Sequence, residues 1–451
     1  MRRVLVALSI LLAGPVAGAQ GVPRLAFEKT TLSNGLEVIL HEDHSTPIVV
    51  VNTWYKVGSG DEKAGRTGFA HLFEHIMFMG SEHVAVGQFD QLLEAAGANN
   101  NGSTWNDRTN YYETLPSNAL PLALWLDADR MGRLLPVMDQ AKLDLQRDVV
   151  RNERRQRVDN VPYGKADEVI LDALYPASHP YHWPVIGSMA DLSAASLEDV
   201  KQFFRTYYAP NNASITIAGD FNRDSALTWV SRYFGAIPRG PAAIVRPTVP
   251  VTIVARDTFL VLEDQVTLPR LYETWHTVRA FAPDDAPLDV LAMVLAGDKN
   301  SRLYKRLVFD MQVAQDVSAS HGSSKLDGNF QITVTPKPGQ APSRMAELVR
   351  EEVSRLVKDG ITPRELARAQ NTMRASFLDR LASVLGKSDQ LNFYNYFLGT
   401  PDYVQQDAAR YERITQPDVQ RVAALYLTKP KIVLTVVPQG QGQLMVRGGA
   451  R

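Results

Sequence analysis

Two histidines and a glutamate stand within five residues of one another in GFAHLFEHIMFMGS, residues 68–81. His71 and His75 are four residues apart, so on an α-helix both imidazoles lie on one face and can direct a ring nitrogen at the same point. Glu74 lies beside them, where its carboxylate can act as a general base on a ligand of a bound metal. The spacing predicts a helical metal site. The plainer alternative is a pair of buried histidines satisfied by neighbours, with Glu74 in a salt bridge.

The residue types available in the chain restrict the metal ligands. There is no cysteine, so a metal must be held by His, Asp or Glu, and a disulfide framework is excluded. These ligand types suit zinc, among other divalent ions. A catalytic zinc usually has three protein ligands and an open position for water, so we expect a third ligand elsewhere. Other histidines lack helical partner spacing and are assigned to loops or the core: His83, His179, His182 and His321.

Length and charge limit the classes of partner. The chain has 451 residues with 48 basic and 49 acidic side chains, a net charge of −1, so no global field favours nucleic acid or an anionic membrane. The locally basic segment 146–157 has helical spacing and is interrupted by acids, which favours a solvated helix face over a nucleic-acid patch. At this length two or three domains can each form a full core.

The first nineteen residues have the pattern of a secretory signal peptide. Two arginines precede an apolar run at 4–13, and Ala-Gly-Ala at 17–19 forms a small-residue cleavage site. The apolar run is too short for a stable anchor, and no other stretch approaches 18 uncharged apolar residues. We therefore expect 1–19 to be removed, and a mature chain without a membrane span that is periplasmic or extracellular.

Strand patterns alternate with amphipathic helices along the rest of the chain, which predicts an α+β fold. Residues 25–235 form a first domain. The segment 236–250 contains four prolines, which neither a helix nor a central strand tolerates, and this indicates a linker. Residues 251–440 form a second domain, and 441–451 a flexible tail.

The second domain repeats the pattern of the first. A Glu-Asp pair begins twelve residues before Trp54, and another begins twelve residues before Trp275. Seventeen residues after Trp54 is His71, whereas seventeen residues after Trp275 is Ala292, and the sequence there is AMVLA instead of HLFEH. We therefore expect two homologous domains, each a sheet packed against helices. A helix at this position does not need histidines for its structure, which favours a metal site in the first copy.

Four stretches, together with the internal repeat, point to a known family: HLFEHIMFMGSEHV, GQFDQLLEAAGANNNGSTWNDRTNYYETLP, QRDVVRNERRQRVDN and HPYHWPVIGSMADL. On these, nearly the whole mature sequence resembles the inverzincin metallopeptidases, which include pitrilysin, insulin-degrading enzyme and mitochondrial processing peptidase. This resemblance implies a half clamshell like a subunit of mitochondrial processing peptidase. It also implies a zinc endopeptidase with one zinc per chain that hydrolyses peptides or unfolded polypeptides, with Glu74 activating the attacking water.

The resemblance implies further site residues. Glu153 is the third zinc ligand, although a helix-surface role stays open. Asn101 and Thr104 match an edge strand that pairs with the substrate backbone, and an ordinary edge strand is the alternative. Gln146 takes a position where relatives commonly carry Glu. Its amide can still hydrogen-bond a ligating histidine but brings no charge.

One part of the family's machinery is missing. Active relatives carry an Arg and, seven residues later, a Tyr that stabilise the tetrahedral intermediate. In the matching segment 301–319 those positions are Val308 and Gln315. We therefore expect a related partner chain with the Arg/Tyr pair to close over this one as a heterodimer. Two other functions stay open: a catalytically silent scaffold of the same fold, and a metal- or peptide-binding subunit without turnover.

Overall fold

The computed structural model describes residues 22–241, 244, 246, 249 and 254–448. The predicted signal peptide at 1–19 lies outside these residues, as does part of the predicted linker at 236–250. Within the described ranges, no helix is long and apolar enough to cross a membrane.

Strands and helices alternate as the sequence pattern predicts. The strands are β1 (Glu28–Thr31), β2 (Glu37–Glu42), β3 (Ile48–Tyr55), β4 (Asn99–Thr104), β5 (Thr109–Pro116), β6 (Ala213–Gly219), β7 (Thr258–Asp264), β8 (Arg270–His276), β9 (Ala314–Ser323), β10 (Gly328–Pro336) and β11 (Ile432–Pro438). The helices are α1 (Phe69–Ile76), α2 (Gln88–Ala95), α3 (Leu120–Arg133), α4 (Gln140–Arg154), α5 (Ala166–Leu174), α6 (Met189–Ala194), α7 (Leu197–Tyr207), α8 (Arg223–Phe234), α9 (Asp285–Ala296), α10 (Pro342–Asp359), α11 (Pro363–Arg380), α12 (Val384–Leu398), α13 (Val404–Glu412) and α14 (Gln416–Tyr426).

The strands form two sheets with the same topology. The first has the order β1-β2-β6-β3-β5-β4 and the second the order β7-β11-β8-β10-β9. In the first sheet β2 pairs with β6 in parallel, and in the second β7 pairs with β11 in parallel. The other pairings are antiparallel in both sheets. Apart from β1, each strand therefore has a counterpart. Because α1 follows β3 and α9 follows β8, the predicted α+β fold of two homologous domains is confirmed.

Each half of the chain contributes one helix that packs on the sheet of the other half. α12, from the second half of the chain, packs on β2, β3 and β6 of the first sheet. Its buried Leu391 and Tyr394 pack with Ile39, and the side-chain amide of Asn392 donates to the Asn52 carbonyl oxygen (3.0 Å). In return, α5 from the first half packs on β8 and β11 of the second sheet. Each sheet is thus covered on one face by its own helices and on the other by a helix of the opposite half.

The end of the described chain lies on the second sheet. Val446 is buried in the second core, and its N–H donates to Thr435 Oγ1 on β11 (3.1 Å). The predicted tail at 441–451 therefore packs against the second half as far as this residue.

Candidate zinc centre and general base

One face of α1 is apolar and buried, and a different face carries the two histidines. Spacing of three and four residues turns one face into the core, where Phe73 stacks on Phe203 with ring centroids 5.2 Å apart. His71 and His75 lie on the other face, with side-chain exposures of 12% and 24%. The buried residues are Phe69, Ala70, Leu72, Phe73 and Ile76. The same periodicity that anchors the helix therefore presents both imidazoles.

The start of α1 is held in place by the carboxylate of Glu62. Glu62 accepts hydrogen bonds from the backbone N–H groups of Gly68 (2.9 Å) and Ala70 (2.8 Å), which otherwise have no partner at a helix N-terminus. Gly68 has φ +84°, and a Cβ there would lie 2.7 Å from the carbonyl oxygen of Ile186. The 186–188 loop therefore packs directly on the helix start and restricts its position.

α4 supplies the third predicted ligand. Asp139 caps this helix by accepting from the Lys142 N–H (2.9 Å), and the helix packs against α1. Glu153 Oε2 lies 3.1 Å from His75 Nε2 and 3.6 Å from His71 Nε2. Ligand atoms of all three side chains lie within 4.8 Å of one another. The structure therefore brings together the three residues that the sequence nominates as ligands.

The protonation states of these residues suit a metal ion. Burial, together with neighbouring His75, lowers the pKa of His71 to about 4, so its imidazole is neutral at pH 7. The hydrogen bond with His75 lowers the pKa of Glu153 and keeps it ionised. Neutral imidazoles and a carboxylate are the forms that bind zinc, and two His with one Glu is a known catalytic donor set. His71 directs its Nε2 at Glu153, and its buried Nδ1 has no hydrogen-bond partner among the residues that the structure describes. The residues fit a zinc ion.

Gln146 does not form the predicted hydrogen bond to a ligating histidine. Its Nε2 donates instead to Met79 Sδ at 2.7 Å, in a buried position on α4. An uncharged amide is not drawn to the imidazoles as a carboxylate is, and the thioether just beyond α1 satisfies it. The expected contact of Gln146 with the metal ligands is therefore corrected.

Glu74 is held by the edge strand of the first sheet. Thr104 Oγ1 donates to Glu74 Oε2 at 2.6 Å, and burial raises the pKa of Glu74. β4 comes this close because Gly102 has no side chain: a Cβ there would lie 3.0 Å from Glu74 Cγ. Of the two predicted substrate-binding residues, Thr104 thus contacts Glu74, whereas Asn101 is exposed and accepts from the Gly102 N–H (2.8 Å).

Arg108, which the sequence did not single out, lies near enough to Glu74 to interact with it electrostatically. Its guanidinium lies 5.0 Å from the ring centroid of Trp54 and donates to the Ser103 carbonyl oxygen (2.8 Å). Burial lowers the pKa of Arg108 to about 10. Arg108 lines a cavity of about 700 Å³ between the halves, together with Asp389 of α12. Its only sequence signal is its place in the quoted motif STWNDRTN.

Val308 and Gln315 occupy the positions that match the Arg/Tyr pair of active relatives. Val308 packs against the second core, and Gln315 is exposed on β9. The nearby Arg306 is engaged by α10, where it pairs with Glu351 and donates to the Leu348 carbonyl oxygen (3.1 Å). Neither predicted position supplies an arginine or a tyrosine.

Comparison with known proteins identifies the family. Residues 37–178 match the sequence model described as insulinase (peptidase family M16), and residues 194–373 match that of the peptidase M16 inactive domain. The chain belongs to the M16 peptidase family, as the resemblance to inverzincins predicted. It is 31% identical to the zinc protease PqqE of Helicobacter pylori over 411 residues, which are 88% of this chain and 90% of PqqE.

Solved structures show the same architecture. A protease from Helicobacter pylori superimposes with a TM-score of 0.85 at 26% identity, over 92% of this chain and 100% of that one. The first half of the periplasmic protease PqqL from Escherichia coli gives a TM-score of 0.74 at 16% identity, over 95% and 96% of the two chains. In the complete PqqL structure this chain covers 49% of the length. At 16% identity the likeness to PqqL shows the fold alone.

Proposed function

We propose that this chain is the zinc-bearing subunit of an endopeptidase that hydrolyses peptides or unfolded polypeptides. The observation that carries the proposal is the convergence of His71, His75 and Glu153 within 4.8 Å, on helices that also place Glu74 beside them. One zinc ion would be held by these three residues, with a fourth position open. Membership of a family whose relatives are named zinc proteases supports this reading.

Glu74 acts as the general base. A bound zinc supplies a Lewis acid that polarises the scissile carbonyl and acidifies a water molecule. Glu74 takes the proton of the attacking water and gives it to the leaving amine as the peptide bond breaks. A carboxylate with a raised pKa suits both steps, and the hydrogen bond from Thr104 holds one of its oxygens in place.

The substrate binds as an added strand. β4 is the last strand of the first sheet, so its outer backbone groups can pair with an extended peptide. Exposed Asn101 lies on that strand, and Thr104 at its end contacts Glu74. A peptide paired with β4 would therefore run past the catalytic carboxylate. Backbone pairing selects extended or unfolded chains more than particular side chains.

A partner chain completes the site. Val308 and Gln315 cannot donate to an oxyanion as an Arg/Tyr pair does. The complete PqqL chain is about twice the length that this fold covers, so one chain there has room for two such halves. We propose that a related chain carrying the Arg/Tyr pair assembles with this one.

The partner proposal is tested by assaying this chain alone and with a homologue encoded beside it. Loss of one oxyanion donor costs about 100- to 1000-fold in turnover, so the partner should raise cleavage by at least that factor. Full-rate cleavage by this chain alone, as monomer or homodimer, contradicts the proposal.

The signal-peptide pattern supports export. We propose a periplasmic or extracellular mature chain that begins near Gln20. N-terminal sequencing of protein purified from the native cell tests this, and a retained Met1 contradicts it.

The metal assignment is tested by chelation and by one substitution. Chelation should abolish cleavage and added zinc should restore it. Glu153→Ala should lower the zinc content by one ion per chain, whereas the control Glu198→Ala, an exposed residue of α7, should not change it. Full occupancy of the catalytic centre in Glu153→Ala contradicts the third ligand.

A further inference from the structure

The second half of the molecule holds another group of metal-ligand side chains. Asp285 and Asp289 lie four residues apart on α9, and His321 lies on β9. One ligand atom from each lies within 4.8 Å of the others. We propose that this cluster binds a divalent transition-metal ion such as zinc. His321, assigned from the sequence to a loop or the core, then becomes a ligand.

The ligand atoms are spaced closely enough to bind one metal ion together. His321 Nδ1 lies 2.9 Å from Asp289 Oδ1 and 3.9 Å from Asp285 Oδ1. The corresponding separations in the candidate zinc centre on α1 and α4 are 3.1 and 3.6 Å. Ligands on zinc at bond lengths of about 2.0 Å stand roughly 3.3 Å apart in a tetrahedron, so the two separations from His321 each need to change by only about 0.6 Å or less.

The atoms pointing away from the cluster already have partners. In metalloproteins, contacts of this kind orient the side chains that bind the metal, because they fix the tautomer of a histidine and the rotation of a carboxylate. The pairs are Asp285 Oδ2 with Arg410 Nη2 (2.6 Å) and the Phe281 N–H (2.8 Å), Asp289 Oδ2 with the Tyr411 hydroxyl (2.6 Å), and His321 Nε2 with Thr277 Oγ1 (3.1 Å). The three inward atoms are left to face one another.

A single proton cannot provide a hydrogen bond to all three inward-facing atoms. If His321 Nδ1 carries a hydrogen, it bonds Asp289 Oδ1, but Asp285 Oδ1 has no hydrogen-bond partner in the described part of the chain. Asp285 is only 5% exposed, so water does not compensate that oxygen. Leaving a buried carboxylate oxygen unpaired costs free energy. A metal ion accepts lone pairs from all three atoms at once, which a single proton does not.

The charge balance favours a divalent cation. Asp407 Oδ1 also accepts from Arg410 (2.9 Å), so Asp285 and Asp407 share one guanidinium, whereas Asp289 accepts from the Tyr411 hydroxyl. With a neutral His321, the side chains of Asp285, Asp289, Asp407 and Arg410 together carry two net negative charges, which one divalent ion neutralises. Asp289 is 25% exposed at its side chain and lines two cavities of about 530 and 700 Å³, which give an ion a path from solvent. One nitrogen and two oxygen ligands suit zinc or a similar ion.

The test is the zinc content of the full chain after equilibration with zinc and removal of free metal. We expect two zinc ions per unsubstituted chain, and one fewer in His321→Ala and in Asp289→Asn. His44→Ala is the matched control, because His44 pairs with Asp220 (2.6 Å to Oδ1) but belongs to neither of the two three-ligand groups found in the described residues, and it should keep both ions. A folded His321→Ala or Asp289→Asn chain with unchanged zinc content overturns the proposal.

A second measurement separates this cluster from the catalytic centre. In a Glu153→Ala chain, zinc titration calorimetry should detect one remaining site, and adding Asp289→Asn should remove it. This holds whether or not the protein cleaves peptides. No zinc binding in folded Glu153→Ala, or binding that persists in the double variant, overturns the proposal.

Discussion

Thr104→Val removes the hydroxyl that donates to Glu74, the proposed general base, while keeping a β-branched side chain suited to a strand. The lost bond is the 2.6 Å donation from Thr104 Oγ1 to Glu74 Oε2. Hydrogen bonds to charged groups contribute about 1.5–3 kcal/mol, and 1.36 kcal/mol corresponds to tenfold in rate. We expect kcat/KM to fall about 10- to 100-fold with unchanged zinc content. Thr104→Ser keeps the hydroxyl and should retain most activity.

The assay is the kcat and KM of the active assembly on an unfolded polypeptide, with zinc measured in the same preparation. The loss should fall on kcat, because the hydroxyl positions the base and not the substrate. Thr104→Val with full kcat would show that Thr104 is only part of the edge strand. An equal loss in Thr104→Ser would show that side-chain shape, and not the hydrogen bond, is what matters.

Three further predictions concern the fold. We propose that proteolytic cleavage within the linker 236–250 gives two fragments of similar size. They should still co-elute in size-exclusion chromatography, because α5 and α12 each pack on the sheet of the other half; separate elution contradicts that packing. Leu391→Ala on α12 should lower the free energy of unfolding by about 2–5 kcal/mol in urea, and a change below 1 kcal/mol would mean that α12 adds little. Burial alone would raise the pKa of Glu365, but hydrogen bonds, led by that from Arg302, outweigh it and lower the pKa from 4.5 to about 2. Ionised Glu365 therefore stabilises the folded state fully above pH 4.5, and this contribution is lost as the pH falls towards 2. Glu365→Gln should flatten that acid slope in urea titrations, and an unchanged slope contradicts the pairing.

Local periodicity was enough to predict α1 and its two imidazoles, because residues four apart on a helix always share a face. The prediction of Glu153 depends on the family resemblance alone. It lies on another helix, and no spacing rule states that α1 and α4 pack together. The Thr104–Glu74 bond was missed for the same reason, since it depends on how closely the edge strand approaches, which Gly102 permits.

The exchange of α5 and α12 also lay beyond the sequence pattern. An apolar stripe predicts that a helix face is buried but not which sheet covers it. The buried face of α12 includes Asn392 and Asn395, and because these residues are polar, the sequence does not indicate that they are buried. The cluster at His321 gave no signal either, because two aspartates four apart on a helix are common on surfaces and the histidine comes from a distant strand.

Glu74→Gln tests the central assignment most directly, with zinc content and peptide cleavage measured on one preparation of the active assembly. Removing a general base costs about 100- to 10,000-fold in turnover, whereas the amide leaves the three ligand side chains untouched. We predict zinc binding equal to that of the unsubstituted chain, with cleavage reduced at least 100-fold. Cleavage at the full rate with zinc bound, or loss of zinc along with activity, would contradict the role of Glu74 as the base beside a His71–His75–Glu153 centre.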